Sequence, residues 1–469
     1  MRVFSFLACL IICLTAKAQT FEVETVLENG PVTDRINLVF LGDGYTAGEQ
    51  TKFIADVNKI LDAMFAQSPF TEYKHYFNAY AIKVISQESG TNHPQNSTDG
   101  DGACQTQSVK TVNNYFGSTF DYLGIHRLLY PGNLTKVVNV LAANFPLYDQ
   151  AFIAVNTPYY GGAGGAFATC SDHSAGREVA IHEIGHSFAG LADEYWAGPQ
   201  YAAEKPNMTK QTSPSLVKWK NWMGVDGVGI YAHSGYASWK KPHTNCKMAV
   251  LNAPLCKVCT ETFVERFHQF VIPLSGFEPQ DTKFTIDAVE PQNLAFAVSV
   301  VAPEPNTVKI KWEMNDVMKA KNVENLMISS ADLGNATTVR VTVQDTTALT
   351  RSESHASNHF YVVEWELTKS NVVTGVEIET LASRYELSVY PNPVGDDLTF
   401  SYTLSKPASV SVSILDPSGR NVKTLLRESQ GSGSHEYAFA RDKLNVAQGQ
   451  YILQFNFGKS AIPVKIMLR

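Results

Sequence analysis

The sequence lacks any apolar run long enough to cross a bilayer as a helix, which takes about 20 residues. The apolar run from Val3 to Leu14, which is too short for this, follows a basic residue and is followed by the small-residue ending AKA. This arrangement is typical of a secretory signal peptide, so we expect residues 1–18 to be removed by cleavage before Gln19. The mature protein is therefore expected to be secreted, either extracellular or attached to the outer cell surface.

An excess of positive charge is also missing. The chain has 38 basic and 45 acidic residues and a formal net charge of −7, and loss of the signal would remove Arg2 and Lys17. Nucleic-acid binding requires a basic face, so no nucleic-acid partner is expected. The sequence also has no nucleophile elbow and no cysteine-protease signature, which argues against a serine or cysteine hydrolase.

Cysteine is sparse, and five cysteines remain after the signal: Cys104, Cys170, Cys246, Cys256 and Cys259. Because an exported chain meets an oxidising compartment, we expect disulfides, with one thiol left over. The expected pairs are Cys104 with Cys170, and Cys246 with either Cys256 or Cys259. The CxxC spacing also suggests a metal site, but a structural zinc site would want a second pair, and only Cys246 is near.

Three regions of different texture follow the signal. In residues 19–275, strand-like segments such as RINLVFLGDGY, FNAYAIKVIS, HRLLY and DQAFIAVN alternate with helical ones, which predicts an α/β domain with a mixed or largely parallel sheet. Residues 276–382 contain alternating strands at regular spacing, typical of an immunoglobulin-like β-sandwich. Residues 383–469 read as a second all-β sandwich domain.

A long polar loop is predicted from Asn92 to Gln107. Its DGDG run hints at calcium but lacks the acidic spacing of an EF-hand, so a plain loop is the favoured interpretation.

The segment HEIGHSFAGLADEYW, residues 182–196, carries the chemistry. On a helix His182 and His186 lie one turn apart on the same face, close enough to share a zinc ion. Glu183 follows the first histidine and can reach a zinc-bound water as general base. The flanking sequence predicts a buried amphipathic helix that stops at Gly190. A zinc hydrolase of peptide bonds is the function that this pattern favours.

The third zinc ligand is open to three readings. On a continuous helix Asp193 would lie about 16 Å from His182 along the axis, too far to share an ion. Gly190 accepts left-handed dihedrals and lets the chain reverse, which brings Asp193 or Glu194 back toward the metal. Asp193 is preferred, and Glu261 on a later helix is a third candidate.

Residues from about 30 to 270 resemble the IgA-peptidase-like zinc metallopeptidases, a metzincin-like family. The resemblance rests on LVFLGDGYT, FGSTFDYLGIHRLL, HEIGHSFAGLADEY and NCKM. It implies an α/β metzincin-like catalytic domain, with Met248 as a packing residue beneath the zinc. The chain departs from the general metzincin pattern, because Gly190 and Asp193 each fall one residue late.

Two further features have a possible substrate role. Tyr236 could place a hydroxyl near the substrate carbonyl, although a surface aromatic residue fits equally well. The glycine-rich run YYGGAGGAFATCSDH could form a sheet edge that pairs with an extended peptide.

The last region contains VYPNP at 389–393, ILDPSGR at 414–420, GQY at 449–451 and a final basic and apolar strand. With these features it resembles the C-terminal sorting domain of proteins exported by the type IX secretion system. It implies an interaction with the outer-membrane secretion machinery.

These features together predict a secreted zinc endopeptidase that hydrolyses extracellular proteins or peptides, with His182, His186 and Asp193 as zinc ligands and Glu183 as base. The alternative is a surface adhesin or glycan-binding protein whose sandwich is the active part and whose first domain is a degenerate peptidase.

Overall fold

The computed structural model describes residues 19–100, 102–234, 236–287, 292–370, 375–458 and 460–469. The expected signal peptide, residues 1–18, lies outside the described residues. The helices within these ranges are α1 (Gln50–Phe65), α2 (Leu134–Asn144), α3 (Gly176–Ser187), α4 (Lys257–Phe270), α5 (His355–Asn358) and α6 (Gly375–Arg384).

The first region is built on one sheet of six strands: β1 (Val23–Leu27), β2 (Ile36–Asp43), β3 (Phe77–Ile82), β4 (Gln150–Val155), β5 (Gly162–Ala163) and β6 (Ala168–Ser171). The strand order is β1-β3-β2-β4-β6-β5. The four inner strands are parallel, and the edge strands β1 and β5 are antiparallel to their neighbours. The predicted mixed, largely parallel α/β sheet is therefore confirmed. Two short strands, β7 (Tyr231–His233) and β8 (Tyr236–Lys241), form a separate hairpin.

Helices cover both faces of this sheet, which is why β2 is apolar along its whole length. Leu38 and Phe40 face a core shared with α1, α3 and α4, whereas Val39 and Leu41 face a core shared with α2. Helix α3 is held against the sheet at β5 and β6, next to its edge. This position places the HEIGH segment beside the edge strand.

Two of the motifs noted in the sequence meet at the end of β2. The buried carboxylate of Asp43 accepts hydrogen bonds from the main-chain N–H groups of Phe116 and Ser118, each at 3.0 Å. The neighbouring Gly44 has φ of +74°, and a Cβ there would lie 2.2 Å from the carbonyl oxygen of Gly90. The glycine is therefore required by a close approach of two main chains.

The segment HRLLY, residues 126–130, is not a strand, so that prediction is wrong. The segment makes isolated bridges, between Leu128 and Gly162 and between Tyr130 and Thr119. Its apolar residues contact the core from a loop, because the edge strand β5 offers only two residues for pairing.

Within its described residues the second region has eight strands: β9 (Leu274–Glu278), β10 (Lys283–Asp287), β11 (Asn293–Val300), β12 (Val308–Met314), β13 (Val317–Lys321), β14 (Asn325–Ser329), β15 (Ala336–Asp345) and β16 (Phe360–Ser370). They form the sheets β10-β16-β15-β12-β13 and β14-β11-β9. The core between them contains Trp312 and Trp365, stacked with ring centroids 5.9 Å apart. Strand β9 begins slightly before the boundary expected at residue 276.

In the part of the third region that the structure describes there are seven strands: β17 (Ser388–Tyr390), β18 (Asp397–Leu404), β19 (Ala408–Leu415), β20 (Asn421–Gln430), β21 (Gly433–Ala440), β22 (Gly449–Phe457) and β23 (Ser460–Leu468). They form sheets of three and four strands around one core. Leu381 of α6 is part of that core. The boundary expected at residue 383 therefore falls inside a helix that the sequence analysis did not predict.

The expectation of disulfides is wrong for the structure described. All five cysteines are buried and free. The Sγ atoms of Cys246 and Cys259 are 3.7 Å apart, well beyond a bond of about 2.05 Å. Cys104 contacts His93 instead of Cys170, which lies on the inner strand β6. Among the described helices, none has the length and apolar character needed to span a membrane.

Candidate metal centre

Helix α3 carries His182, Glu183 and His186 in its second half. The sequence analysis predicted an amphipathic helix, and this is wrong. The buried residues Val179, Ala180, Ile181 and His182 follow one another around the helix circumference and do not form one apolar face. The chain reverses at Gly190, which has φ of +67°, and the N–H of Leu191 donates back to the carbonyl of Gly185 at 2.9 Å. This reversal is the geometry that a glycine allows.

Behind the bend, Asp193 returns to the two histidines. Its Oδ1 lies 3.1 Å from Nε2 of His182 and 3.2 Å from Nε2 of His186. The two Nε2 atoms are themselves 3.1 Å apart. Three atoms of ligand type therefore converge on one point from two segments of the chain.

The other nitrogen of each ring is held by the main chain. Nδ1 of His182 donates to the carbonyl of Lys247 at 3.0 Å, and Nδ1 of His186 donates to the carbonyl of Leu191 at 2.9 Å. A ring that donates from Nδ1 presents a lone pair at Nε2, which is the usual arrangement of a metal-binding histidine.

This donor set fits a zinc ion. Nitrogen and oxygen ligands at the corners of a tetrahedron with bonds of about 2.0 to 2.1 Å lie roughly 3.3 to 3.4 Å apart. The three distances between Asp193, His182 and His186 are close to that value. Burial lowers the pKa of His186, but the Asp193 carboxylate outweighs it and raises that pKa to about 9. The site therefore favours positive charge.

Glu183 faces the same space, and one of its carboxylate oxygens lies within 4.8 Å of ligand atoms of His182 and His186. No group among the described residues hydrogen-bonds to its carboxylate, so both oxygens are free to meet a water molecule. A Cβ on Gly164 would lie 2.4 Å from Oε2 of Glu183, so the glycine leaves space for the carboxylate in this position. Burial raises the pKa of Glu183, opposed by His182 and His186.

Met248 lies beneath the helix, fully buried. A Cβ on Gly185 would lie 2.7 Å from its sulfur, so Met248 packs against the helix backbone between the two histidines. Its carbonyl accepts a hydrogen bond from the N–H of Glu194 at 2.7 Å.

The other candidates for the third ligand point elsewhere. The Glu194 carboxylate turns away to Asn207 and Cys259. The Glu261 carboxylate accepts a hydrogen bond from Nε1 of Trp222 at 2.8 Å and from the N–H of Arg351 at 2.5 Å. Neither residue has a described contact with His182 or His186.

An open cleft of about 940 Å³ exposes the histidines, Glu183 and Asp193. Its walls come from the glycine-rich run at 162–165 and from the loop at 122–130, which we call the cleft loop. Tyr236 is not part of this wall. It is 46% exposed and stacks on Trp196, with ring centroids 4.1 Å apart.

Tyr195 lines the cleft next to the group of three, and the sequence analysis did not single it out. Its ring stacks on that of His182, with centroids 6.3 Å apart. Burial and the charges of Asp193 and Glu183 raise its pKa, so the phenol remains protonated and can donate. Its position two residues after Asp193 was the signal available in the sequence.

The glycine-rich run does form the edge of the sheet, as strand β5. Its outer side is already paired at Gly162, whose N–H donates to the carbonyl of Arg127 and whose carbonyl accepts from the N–H of Leu129. A peptide could pair only further along, at Gly164 and Gly165, because the cleft loop occupies the start of the edge.

Within the described residues, three other groups of side chains could hold a metal ion: His93 with Cys104, Asp121 and His126; Glu194 with Cys246, Cys256 and Cys259; and Glu265 with His355 and His359. The first group lies within and beside the polar loop that contains DGDG. The sequence analysis favoured none of the three, although it raised a metal site at the CxxC spacing of Cys256 and Cys259, with Cys246 near, as the less favoured interpretation.

Comparisons with known proteins agree with the two resemblances. Residues 24–230 match the family model of IgA Peptidase M64. Residues 388–469 match that of the secretion system C-terminal sorting domain. Among curated proteins, none matches the sequence.

Two solved structures show weak likeness. The fibronectin(III)-like modules of Clostridium thermocellum CbhA are 11% identical, and the match covers 41% of this chain and 92% of theirs with a TM-score of 0.17. The YadV chaperone is 10% identical, and the match covers 41% of this chain and 99% of its own with a TM-score of 0.14. Values this low carry no argument about the fold.

The sorting domain indicates a protein that is secreted or attached to the cell surface and that interacts with the secretion machinery. The chain thus combines a segment that matches the IgA Peptidase M64 family, residues 24–230, with one that matches the secretion system C-terminal sorting domain, residues 388–469.

Proposed function

We propose that this protein is a secreted zinc endopeptidase with a metzincin-like catalytic domain. His182, His186 and Asp193 are the proposed zinc ligands. The observation that carries the proposal is the approach of their three ligand atoms to within 3.1 to 3.2 Å of one another, at the wall of an open cleft. The match to a peptidase family supports it.

The proposed chemistry is hydrolysis by an activated water molecule. A zinc ion bound by the three residues would lower the pKa of a water to about 7 and polarise the scissile carbonyl. Glu183 accepts a proton from that water as general base and passes it to the departing amine. Its lack of a hydrogen-bond partner among the described residues supports this role.

Tyr195 is proposed as the residue that binds the substrate carbonyl. Its protonated hydroxyl can donate a hydrogen bond to the carbonyl oxygen as negative charge develops there. Tyr195 takes the place that the sequence analysis gave to Tyr236, because Tyr195 lines the cleft and Tyr236 does not.

An extended peptide is the substrate form that the cleft favours. Gly164 lies beside Glu183 and Gly165 lies near Tyr130, and neither glycine has a side chain that would obstruct a second main chain. The exposed Arg127 and the side chain of Lys205 also line the cleft and provide positive charge for acidic side chains.

Metal content and proteolysis of the purified full chain test the proposal. We expect zinc in the wild type, loss of about one equivalent of zinc and of peptide cleavage in Asp193→Asn, and wild-type zinc content and cleavage in Glu261→Gln. The second variant is a matched control, since it neutralises a carboxylate that lies outside the cleft. A protein that holds no zinc and cleaves no peptide, yet binds glycans, would favour the adhesin alternative instead.

A further inference from the structure

A cluster of three thiols and one carboxyl group lies next to the proposed catalytic site. Glu194, Cys246, Cys256 and Cys259 are all buried, and their ligand atoms lie within 4.8 Å of one another. The proposed function makes no use of them. We call this set the cysteine cluster.

The spacing of the cluster matches ligands around a single ion. The Sγ atoms of Cys246 and Cys259 are 3.7 Å apart, and Sγ of Cys259 lies 3.3 Å from Oε1 of Glu194. Around a tetrahedral zinc ion, two thiolates lie roughly 3.8 Å apart, and a thiolate and a carboxylate oxygen roughly 3.6 Å apart.

An unpaired oxygen of the Glu194 carboxylate is independent evidence for a bound cation. Glu194 is completely buried. Its Oε1 accepts from the Asn207 amide at 3.2 Å, but its Oε2 has no hydrogen-bond partner. The nearby ammonium of Lys241 does not serve this oxygen, because it donates to the main-chain carbonyl of Glu194. A buried, unpaired carboxylate oxygen is costly, and a cation removes that cost.

The four residues come from three separate segments. Glu194 follows the reversal after α3, Cys246 lies in the loop after β8, and Cys256 and Cys259 lie at the start of α4. An ion at this point would tie these segments together. The N-terminal end of a helix also stabilises thiolates.

We propose that the cysteine cluster is a second, structural metal site with zinc as its ion. Three thiolates and a carboxylate form a closed set of four ligands, which leaves no position for substrate and suits zinc above harder cations. Its role is to position the catalytic residues. Glu194 adjoins Asp193, and its main-chain N–H donates to the carbonyl of Met248. The main-chain carbonyl of Lys247, which lies between Cys246 and Met248, accepts from Nδ1 of His182.

Metal content and free thiols of the purified full chain test this site. We expect Cys256→Ser to hold about one equivalent of zinc less than the wild type, with all three cluster cysteines of the wild type reduced. The matched control is Cys170→Ser, which removes another buried thiol outside the cluster and should leave the zinc content unchanged.

The absorption spectrum of the cobalt-substituted protein is a second test, and it does not depend on peptide cleavage. Thiolate-to-cobalt absorption should be strong in the wild type and in Cys170→Ser. In Cys256→His, which keeps a ligand at this position, the metal should stay and the absorption should fall. This variant keeps the test decisive even where Cys256→Ser fails to fold.

Two results would overturn the proposal. One is a wild-type protein with two of the cluster cysteines oxidised to a disulfide. The other is an equal zinc content in the wild type and in folded Cys256→Ser. In Asp193→Asn the cluster ion should persist after the catalytic ion is lost, which separates failure of this site from failure of the proposed peptidase site.

Discussion

At the scale of single residues, Glu183 gives the sharpest prediction. Replacing it by glutamine keeps the size of the side chain and removes the base. We expect Glu183→Gln to retain its zinc and to lose about 100- to 10,000-fold in kcat, the usual contribution of a general base. Hydrolysis of a peptide substrate by zinc-loaded protein measures the effect. A variant with near wild-type kcat would exclude Glu183 as the base.

Gly190 tests the bend that returns Asp193 to the histidines. A Cβ there would meet no atom within 4 Å, so the effect of a side chain acts through the positive φ of +67° alone. We expect Gly190→Ala to cost about 1 to 2 kcal/mol in free energy of unfolding and to weaken zinc binding. Urea unfolding and competition with a zinc-chelating dye measure the two effects.

Gly48→Ala is the control for that variant, because Gly48 also has open space around its Cα and has no positive φ. It should leave both quantities unchanged. Equal effects of the two substitutions would contradict the role given to the bend.

The site residues that lie close together in the sequence could be predicted from it. The spacing of His182 and His186 and the turn at Gly190 follow from helix geometry, and the structure brings Asp193 to both rings. The state of the cysteines was not predictable in this way. Their partners, Glu194 and His93, lie in other segments, and only the folded chain brings them together.

At the scale of helices and strands, the elements set by local sequence were again predicted, and those set by contacts with distant segments were not. Strand β2 was predicted correctly, because its apolar run is short and ends in a glycine turn. The segment at 126–130 has an equally apolar pattern, yet it is a loop, because its position at the sheet edge depends on contacts with Gly162. The apolar residues of α3 fit no single stripe, since the helix is buried on several sides.

The contact between helices α4 and α5 has a pH dependence. Glu265 of α4 accepts from His355 at 2.8 Å and from His359 at 3.0 Å. Burial lowers the pKa of His355, but the Glu265 carboxylate outweighs it and raises that pKa. Burial raises the pKa of Glu265, but the histidines outweigh it and hold that pKa well below its usual range. Asp345 and His268 also face this group.

The direction of the pH dependence follows from the linkage between proton binding and folding. A raised histidine pKa stabilises the folded chain below the ordinary value of about 6.5, and this contribution is lost as the pH rises through the raised value. A lowered carboxyl pKa keeps its contribution until strongly acidic pH. The contact should therefore be strongest between about pH 5 and pH 6.5.

His355→Gln tests this dependence. The difference in Tm between wild type and variant should be largest near about pH 6 and should shrink towards about pH 9. His75→Gln, at an exposed histidine, is the control and should show no such trend. A difference that grows with pH would refute the assigned charge state.

At the scale of the whole molecule, one carboxylate joins the first region to the sandwich. Asp345 of β15 accepts from the hydroxyl of Tyr73 at 2.5 Å and contacts Nε2 of His268 at 3.0 Å. Both partners are buried. Val301 of the sandwich region also packs into the core of the first region.

A fragment of residues 19–275 should therefore be less stable than one of residues 19–382. Without the sandwich, Tyr73 and His268 lose a buried partner, at about 1 to 3 kcal/mol for each unsatisfied group. Thermal unfolding of the two fragments measures the difference. Asp345→Asn in the longer fragment should reproduce part of the loss. Equal Tm values for the two fragments would contradict this.

The pairing of the cleft loop with Gly162 has a consequence for how the substrate preference of the cleft can be changed. One wall of the cleft belongs to a connection of nine residues, while the candidate metal ligands sit on a separate helix and bend. Grafting another sequence between Asp121 and Pro131 should therefore change which peptides the proposed peptidase accepts and leave the candidate metal ligands in place.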